Sequence, residues 1–186
     1  MVARSVRPAT YADIEALPPN VVGQILEGVL YANPRPAIPH ARAVSSLGGA
    51  LDGPFDKGRG GPGGWIVLFE PELHLGADVL VPDIAAWRRE RLPELPAAAF
   101  LTVAPDWVCE GLSPSTSAVD RGPKLRKHAR EGVSHVWFLD PEAKTLEVLR
   151  LDGDTYRIVA TNAGDDRVRA EPFDAIELEL ALLWLR

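Results

Sequence analysis

Two acidic residues lie inside otherwise apolar, strand-like segments and are the first candidates for chemistry. Asp83 lies in VLVPDIAAW (79–87), and Glu110 lies in DWVCEGLSPST (106–116). A carboxylate moved into an apolar sheet is costly unless its charge is compensated, and a divalent cation compensates it while also supporting catalysis. The basic stretch DRGPKLRKHAREG (120–132) follows and places Lys124 close in sequence to the second acid.

This order of acid, acid and lysine is typical of metal-dependent phosphodiester hydrolysis. Two carboxylates on neighbouring strands suit Mg²⁺ (or Mn²⁺), because Mg²⁺ binds few carboxylates and keeps several waters. The metal would activate a water, and Lys124 would stabilise the charge of the transition state or orient that water. We therefore expect Asp83 and Glu110 to be metal ligands, and these two acids with Lys124 to be the catalytic residues.

Each acid also has a purely structural interpretation. Asp83 could lie at the rim of the sheet and accept a hydrogen bond from a turn. Glu110 could form a salt bridge with the helix that carries Lys124. One carboxylate alone is weak evidence for a metal site, so the two acids have to be interpreted together.

The pattern of apolar and turn residues predicts an α/β (α+β) fold with a mixed β-sheet flanked by helices. Helices are predicted over 36–53 and 120–131, and Gly132 suits the end of the second. Apolar runs over 65–76 and 77–87 predict strands joined by a hairpin at 76–78, and the segment around Glu110 predicts another. Further strands are predicted over 135–141, 145–151 and 155–162. With no repeat and 186 residues, we expect one domain over residues 1–186.

Cysteine content and hydropathy narrow the class of protein. The single Cys109 excludes an intrachain disulfide, and no Cys/His spacing resembles a zinc site. The N-terminus has no signal-peptide core, and no apolar run is long enough to span a membrane. We therefore expect a cytoplasmic protein that does not associate with a membrane.

The net charge of −6 argues mildly against a tight, non-specific nucleic-acid binder, whose binding face is usually strongly basic. Local clusters of basic residues weaken this argument, because they could contact phosphates while a metal offsets the negative charge of the acids. The clustered bases are Arg88, Arg89 and Arg91 after the first acid, and Arg121, Lys124, Arg126, Lys127 and Arg130 after the second.

The motifs VPD, VCEGLSPST, DRGPKL and EGVSHVWFLDP resemble the Uma-two family of putative endonucleases, within the PD-(D/E)xK (restriction-endonuclease-like) superfamily. The segments YADIEALP, ILEGVLYANP and PHARAVSSL are similar to its N-terminal half, so the resemblance covers roughly residues 10–185. It implies a restriction-endonuclease-like mixed sheet and Mg²⁺-dependent cleavage of nucleic acid, with DNA as the expected partner. It also suggests a homodimer, since enzymes that cut both strands often act in pairs.

The resemblance also assigns roles to single residues. Residues 82–83 match the PD element and Glu110 matches the second acid. The superfamily's lysine would follow that acid by two residues, where this chain has Leu112, so Lys124 from the next helix would take its place. Glu27 matches a family acid that would approach the site from the N-terminal half.

Two further residues and one competing function complete the expectations. His40 is a candidate phosphate contact or water-orienting group at the start of the first long helix. The five tryptophans are expected to be core or rim anchors, and Trp87, followed by Arg88 and Arg89, is the one that could alternatively stack on a base. The competing function is a catalytically inactive nuclease-fold module that binds nucleic acid or a protein partner, which Leu112 and the net acidity favour.

Overall fold

The computed structural model describes residues 7–184, and strands make up most of its regular structure. In chain order the strands are β1 (Val21–Leu26), β2 (Val29–Pro34), β3 (Trp65–Phe69), β4 (Leu73–Leu75), β5 (Asp78–Leu80), β6 (Ile84–Arg88), β7 (Trp107–Gly111), β8 (His135–Asp140), β9 (Thr145–Asp152), β10 (Thr155–Ala163), β11 (Arg167–Val168) and β12 (Leu178–Glu179). The α-helices are α1 (Tyr11–Glu15), α2 (Ile38–Leu51), α3 (Ser117–Val119) and α4 (Leu125–Arg130). Short π-helical stretches cover Asp52–Asp56 and Asp120–Lys124, and a 3₁₀ turn covers Leu180–Leu183.

A six-stranded mixed sheet in the order β10-β9-β8-β7-β6-β3 forms the frame. β7 and β8 are parallel, and every other neighbouring pair in this sheet is antiparallel. The chain crosses from β7 to β8 through α3 and α4, as a parallel pair requires a long connection. The predicted mixed sheet flanked by helices is confirmed.

β7 is buried along its whole length because the sheet carries a hydrophobic core on each face. Trp107 and Cys109 face the core that α2 and the C-terminal segment cover. Val108 faces the other core, formed with β4 and β5. This alternation follows from the two-residue period of a strand. Glu110 has the parity of Val108, so its carboxylate lies on the second face.

A smaller sheet in the order β2-β1-β5-β4 packs beside the frame and corrects one sequence expectation. The predicted hairpin at 76–78 is present between β4 and β5. However, the two long strands predicted over 65–76 and 77–87 are wrong, because each run divides between the two sheets. The second run breaks at residues 81–83, where Pro82 has no N–H to donate to a ladder. Asp83 therefore lies at the entrance of β6 and not within a continuous strand.

The segment predicted as one helix over 120–131 is longer and irregular. It begins as α3, passes through the π-helical stretch with a non-helical Gly122, and ends as α4. Gly122 and Pro123 supply the kink, since proline cannot make a regular helical hydrogen bond. Gly132 follows with a φ of +73°, as expected of a helix stop. Within residues 7–184, no helix has the length and apolar character needed to cross a membrane.

Candidate active site

The entrance of β6 and the end of β7 lie side by side at one end of a cavity of about 350 Å³. Ile84 pairs with Cys109, so Asp83 is adjacent to Glu110 on the neighbouring strand. Asp83, Glu110, Lys124 and His40 all line this cavity. Four of the five candidate residues are thus brought together from β6, β7, α2 and the π-helical stretch.

Lys124 holds the centre of the cluster. Its Nζ donates to Glu110 Oε2 at 2.7 Å and to the carbonyl oxygen of Val81 at 3.2 Å. Burial alone would lower the pKa of Lys124, but the negative charges of Glu110, Asp120 and Asp83 outweigh it and raise that pKa. Lys124 therefore remains an ammonium although it is buried.

Burial raises the pKa of Glu110 to about 7, and the charge of Asp83 adds to the increase against the pull of Lys124. A backbone hydrogen bond from Asp83 to the Glu110 carboxylate also opposes the rise. A carboxyl with a pKa near neutrality inside a cavity is the kind of group that functional sites contain.

Asp120 is a site residue that the sequence interpretation missed. It lines the same cavity, and its Oδ1 lies 3.7 Å from Lys124 Nζ. Burial raises its pKa to about 6, with Glu110 and Asp83 adding to the rise. The signal in the sequence was its spacing of four residues from Lys124, which places both on one side of a helix. Asp120 and Pro123 also suit the start of a helix, and this structural interpretation hid the place of Asp120 in the site.

His40 joins Asp83 to the end of β7. Its Nε2 lies 2.8 Å from the carbonyl oxygen of Gly111 and 3.3 Å from Asp83 Oδ2, and that same oxygen accepts the N–H of Gly111 at 2.7 Å. Burial opposes protonation of His40, but the charge and hydrogen bond of Asp83 and the Gly111 carbonyl outweigh it, so its pKa is raised. A side chain at Gly111 would leave no room for the imidazole, because its Cβ would lie 2.3 Å from Nε2.

His128 backs the cluster from α4. Its Nε2 lies 3.4 Å from Glu110 Oε1, and burial together with Lys124 lowers its pKa to about 3. The imidazole is therefore neutral at physiological pH. His128 does not line the cavity, so it contacts Glu110 from the side of the buried core.

Comparison with known proteins assigns the family. The sequence matches the family model described as "Uma2: Putative restriction endonuclease" over residues 8–182. The chain belongs to the Uma2 family. The resemblance drawn from VPD, VCEGLSPST and the later motifs is therefore confirmed. Comparison with curated proteins gives no match.

A solved structure confirms the fold of this Uma2 family member. A putative nuclease belonging to DUF820 from Anabaena variabilis ATCC 29413, whose crystal structure was determined at 1.96 Å, superposes with a TM-score of 0.76. The sequences are 22% identical, and the match covers 95% of this chain and 98% of that chain. At this identity the likeness establishes the fold alone.

One candidate, Glu27, lies away from the cavity. It occupies the turn between β1 and β2 with a φ of +53°, and its carboxylate pairs with Arg130 at 2.9 Å and Arg126 at 3.5 Å. These contacts tie the turn to α4 and leave the carboxylate outside the cavity lining. Gln24, three residues earlier, lines the cavity instead and accepts the N–H of Val81 at 3.0 Å.

Leu112, at the superfamily's usual lysine position, packs in the core beside Val108. The cavity nevertheless contains an ammonium, because Lys124 extends to Glu110 from the π-helical stretch. Trp87 is fully buried, with its Nε1 donating to the carbonyl oxygen of Val103, so it is a core anchor, and the alternative of base stacking is excluded. Arg88 and Arg89 suggested an exposed position for Trp87, but β6 is buried from Ile84 to Trp87 and becomes exposed only at Arg88.

The donor set suits a metal held mainly by solvent. No group of three or more His, Cys, Asp or Glu in the described part of the chain is arranged to hold an ion. Asp83 and Glu110 offer two neighbouring carboxylates that line the same cavity. Mg²⁺ commonly binds through one or two carboxylates and completes its shell with waters and substrate phosphates. The two acids therefore fit such an ion, and their assignment as ligands stays a prediction.

Proposed function

We propose that this protein is a metal-dependent endonuclease that hydrolyses phosphodiester bonds of nucleic acid, with DNA as the first substrate to test. The observation that carries the proposal is the convergence of Asp83, Glu110 and Lys124 on one cavity. The family's description as restriction endonucleases supports it. The cytoplasmic location and the homodimer stay predictions from the sequence.

Asp83 and Glu110 would hold Mg²⁺ or Mn²⁺, which when bound would supply activation of a water and an offset for phosphate charge. In the chain itself, Asp83 is fixed in place before any ligand arrives, because its Oδ2 accepts the N–H of Gly111. Glu110 is fixed by Lys124 on one oxygen, and His128 lies against the other. Preorganised carboxylates of this kind need little rearrangement when charge develops.

Lys124 would act on the phosphate. Its ammonium lines the cavity, is held by Glu110 and lies near Asp120. A positioned positive charge stabilises the additional negative charge of a phosphoryl transition state. His40, held between Asp83 and Gly111, is placed to orient a water or a phosphate oxygen, the role expected of it from the sequence.

The proposal is tested by cleavage of plasmid DNA and end-labelled DNA and RNA oligonucleotides with Mg²⁺ or Mn²⁺, and then with EDTA. We expect cleavage that EDTA abolishes and that Asp83→Asn reduces by about 10²-fold or more. The matched control is Asp78→Asn, a buried acid outside the cavity that pairs with Lys127. Cleavage that persists in EDTA, or losses that are equal for the two variants, would contradict the assignment.

A catalytically inactive nuclease-fold module is the second candidate. It is favoured by Leu112 at the usual lysine position and by the lack of a three-ligand group within residues 7–184. Such a module would bind nucleic acid or a protein partner without cutting. Failure to cleave any DNA or RNA substrate under all metal conditions, with the protein shown to be folded, would decide for this candidate.

A further inference from the structure

A second, larger groove opens directly beside the catalytic cavity. It has a volume of about 800 Å³ and is lined mostly by apolar groups, among them Ile38, Leu112 and Trp184. His40, Ser113 and Pro114 line both the groove and the cavity, so the two form one continuous cleft. Ile38, at the start of α2, has 81% of its surface exposed and adds apolar surface to the wall of this groove.

The uncommitted positive charge of the described chain is concentrated on this cleft. Within residues 7–184, four lysine or arginine side chains have no ion pair, hydrogen bond or ring contact, namely Arg35, Arg42, Arg59 and Lys144. Arg35 lines the catalytic cavity, and Arg42 and Lys144 line the groove. One acid, Glu142, also lines the groove. The other arginines that flank the two acids in sequence lie in ion pairs or other contacts and are less available to a ligand.

We propose that the groove is a nucleobase subsite and that the substrate carries an unpaired nucleotide next to the scissile phosphate. The inference rests on the proposed function, since it takes the neighbouring cavity as the place of the phosphate. Apolar walls accept the faces of a base, while Arg35, Arg42 and Lys144 meet the flanking phosphates. A base paired in a duplex points away from its own backbone, so only an unpaired or extruded base reaches a groove beside the phosphate.

A second copy of this chain is the competing occupant of an exposed apolar groove. Two observations favour a nucleic acid. The groove is continuous with the cavity through His40, Ser113 and Pro114, and its free charges are mainly positive. A face that paired with itself would bring Arg42 and Lys144 of two copies towards each other, against their mutual repulsion.

The test compares three oligonucleotides of one sequence: a perfect duplex, a duplex with one unpaired nucleotide, and the same duplex with that nucleotide abasic. DNA and RNA versions are run in parallel, and both cleavage rate and binding by fluorescence anisotropy are measured. We expect the unpaired nucleotide to increase cleavage beside it, and binding, by about tenfold or more over the perfect duplex, with the abasic form losing that gain.

The variant Ile38→Ser removes apolar surface from the groove and is expected to reduce the preference for the unpaired base without changing binding of the abasic form. The matched control is Ile158→Ser, which removes an exposed isoleucine on β10 that does not line the cleft. Equal effects of the two variants would overturn the subsite. So would a dimer in solution that Ile38→Ser dissociates.

Failure of the subsite is distinguishable from failure of the proposed function. If all three oligonucleotides are cleaved at equal rates, the endonuclease stands and the base subsite is wrong. If none is cleaved but the unpaired base still improves binding, the subsite stands and the catalytic proposal is wrong. Absence of both cleavage and binding would overturn both.

Discussion

Lys124 Nζ lies 2.7 Å from Glu110 Oε2, and each of these two side chains is only 2% exposed. Asp83 and Asp120 add their charges, so one ammonium serves three carboxylates. A buried ion pair contributes little net stability, but removal of one partner is strongly destabilising because it leaves an uncompensated buried charge. Lys124 therefore stabilises the folded protein in addition to any catalytic role, and experiments must separate the two effects.

Lys124→Met is expected to reduce turnover by about 10²-fold or more, because a positioned electrostatic donor is lost. The same variant should lose about 3–5 kcal/mol of unfolding free energy near pH 8, since the carboxylates are left without a cation. Turnover per folded molecule and denaturant unfolding measure the two effects separately.

Lys127→Met is the matched control. Lys127 is another buried lysine of the same segment, paired with Asp78 at 3.1 Å and Glu131 at 2.7 Å, and it does not line the cavity. We expect this variant to lose stability while keeping its turnover per folded molecule. Equal turnover losses in the two variants would show that Lys124 has no specific catalytic role and that both substitutions act through the stability of this segment.

Asp83→Asn is expected to abolish divalent-ion binding, because one of two proposed ligand carboxylates becomes neutral. Titration calorimetry with Mn²⁺ measures this, with Asp78→Asn as the control that keeps the binding heat. In EDTA the Asp83→Asn variant should melt at or slightly above the wild-type temperature, since a like charge beside Glu110 is removed. Marked destabilisation in EDTA would instead identify Asp83 as a structural partner.

Much of the site could be predicted because buried acids stand out against apolar strands. Asp83 and Glu110 were identifiable from their apolar neighbours alone. Lys124 was indicated by its place after the second acid, and the family resemblance added that it replaces the lysine missing at Leu112. The spacing from Glu110 could not show that the two side chains meet, because it does not fix where a kinked helix points.

The burial of the ionisable residues in 120–128 could not be predicted, because a buried helix face is recognised by the periodicity of its apolar residues. The buried positions between 120 and 128 are all ionisable: Asp120, Lys124, Lys127 and His128. Such a stripe looks like a solvent-exposed face, although it is more deeply buried than Leu125, which packs at the margin of the second core. The division of 77–87 between two sheets was equally concealed, since a continuous apolar run does not show which neighbour each half will pair with.

The pH dependence of stability should distinguish Glu110 from an ordinary surface acid. Its pKa is about 7 in the folded protein, against an ordinary value of 4.5. Between these pH values the unfolded chain has released a proton that the folded protein retains, so this group's contribution to stability falls as pH rises. Above about pH 7 both states are ionised and the contribution is constant.

We therefore expect Glu110→Gln to gain stability relative to the wild type between pH 5 and 7, by at most about 1.4 kcal/mol per pH unit. The difference between variants is the useful quantity, because His128, with its pKa lowered to about 3, makes stability rise between about pH 3 and 6.5 in both proteins. Urea unfolding in EDTA measures it. A stability difference that does not change with pH for Glu110→Gln would refute the raised pKa.

Gly111→Ala tests how tightly His40 is held against β7. Gly111 has no positive φ, so space and not backbone conformation requires glycine there, and the added Cβ would lie 2.3 Å from His40 Nε2. We expect a loss of about 1–3 kcal/mol, typical of overpacking. In the His40→Ala background the clash is absent and alanine suits a strand better than glycine. There the same substitution should be neutral or slightly stabilising, which a double-mutant cycle by urea unfolding measures. An equal cost in both backgrounds would mean that His40 does not lie against Gly111 in solution.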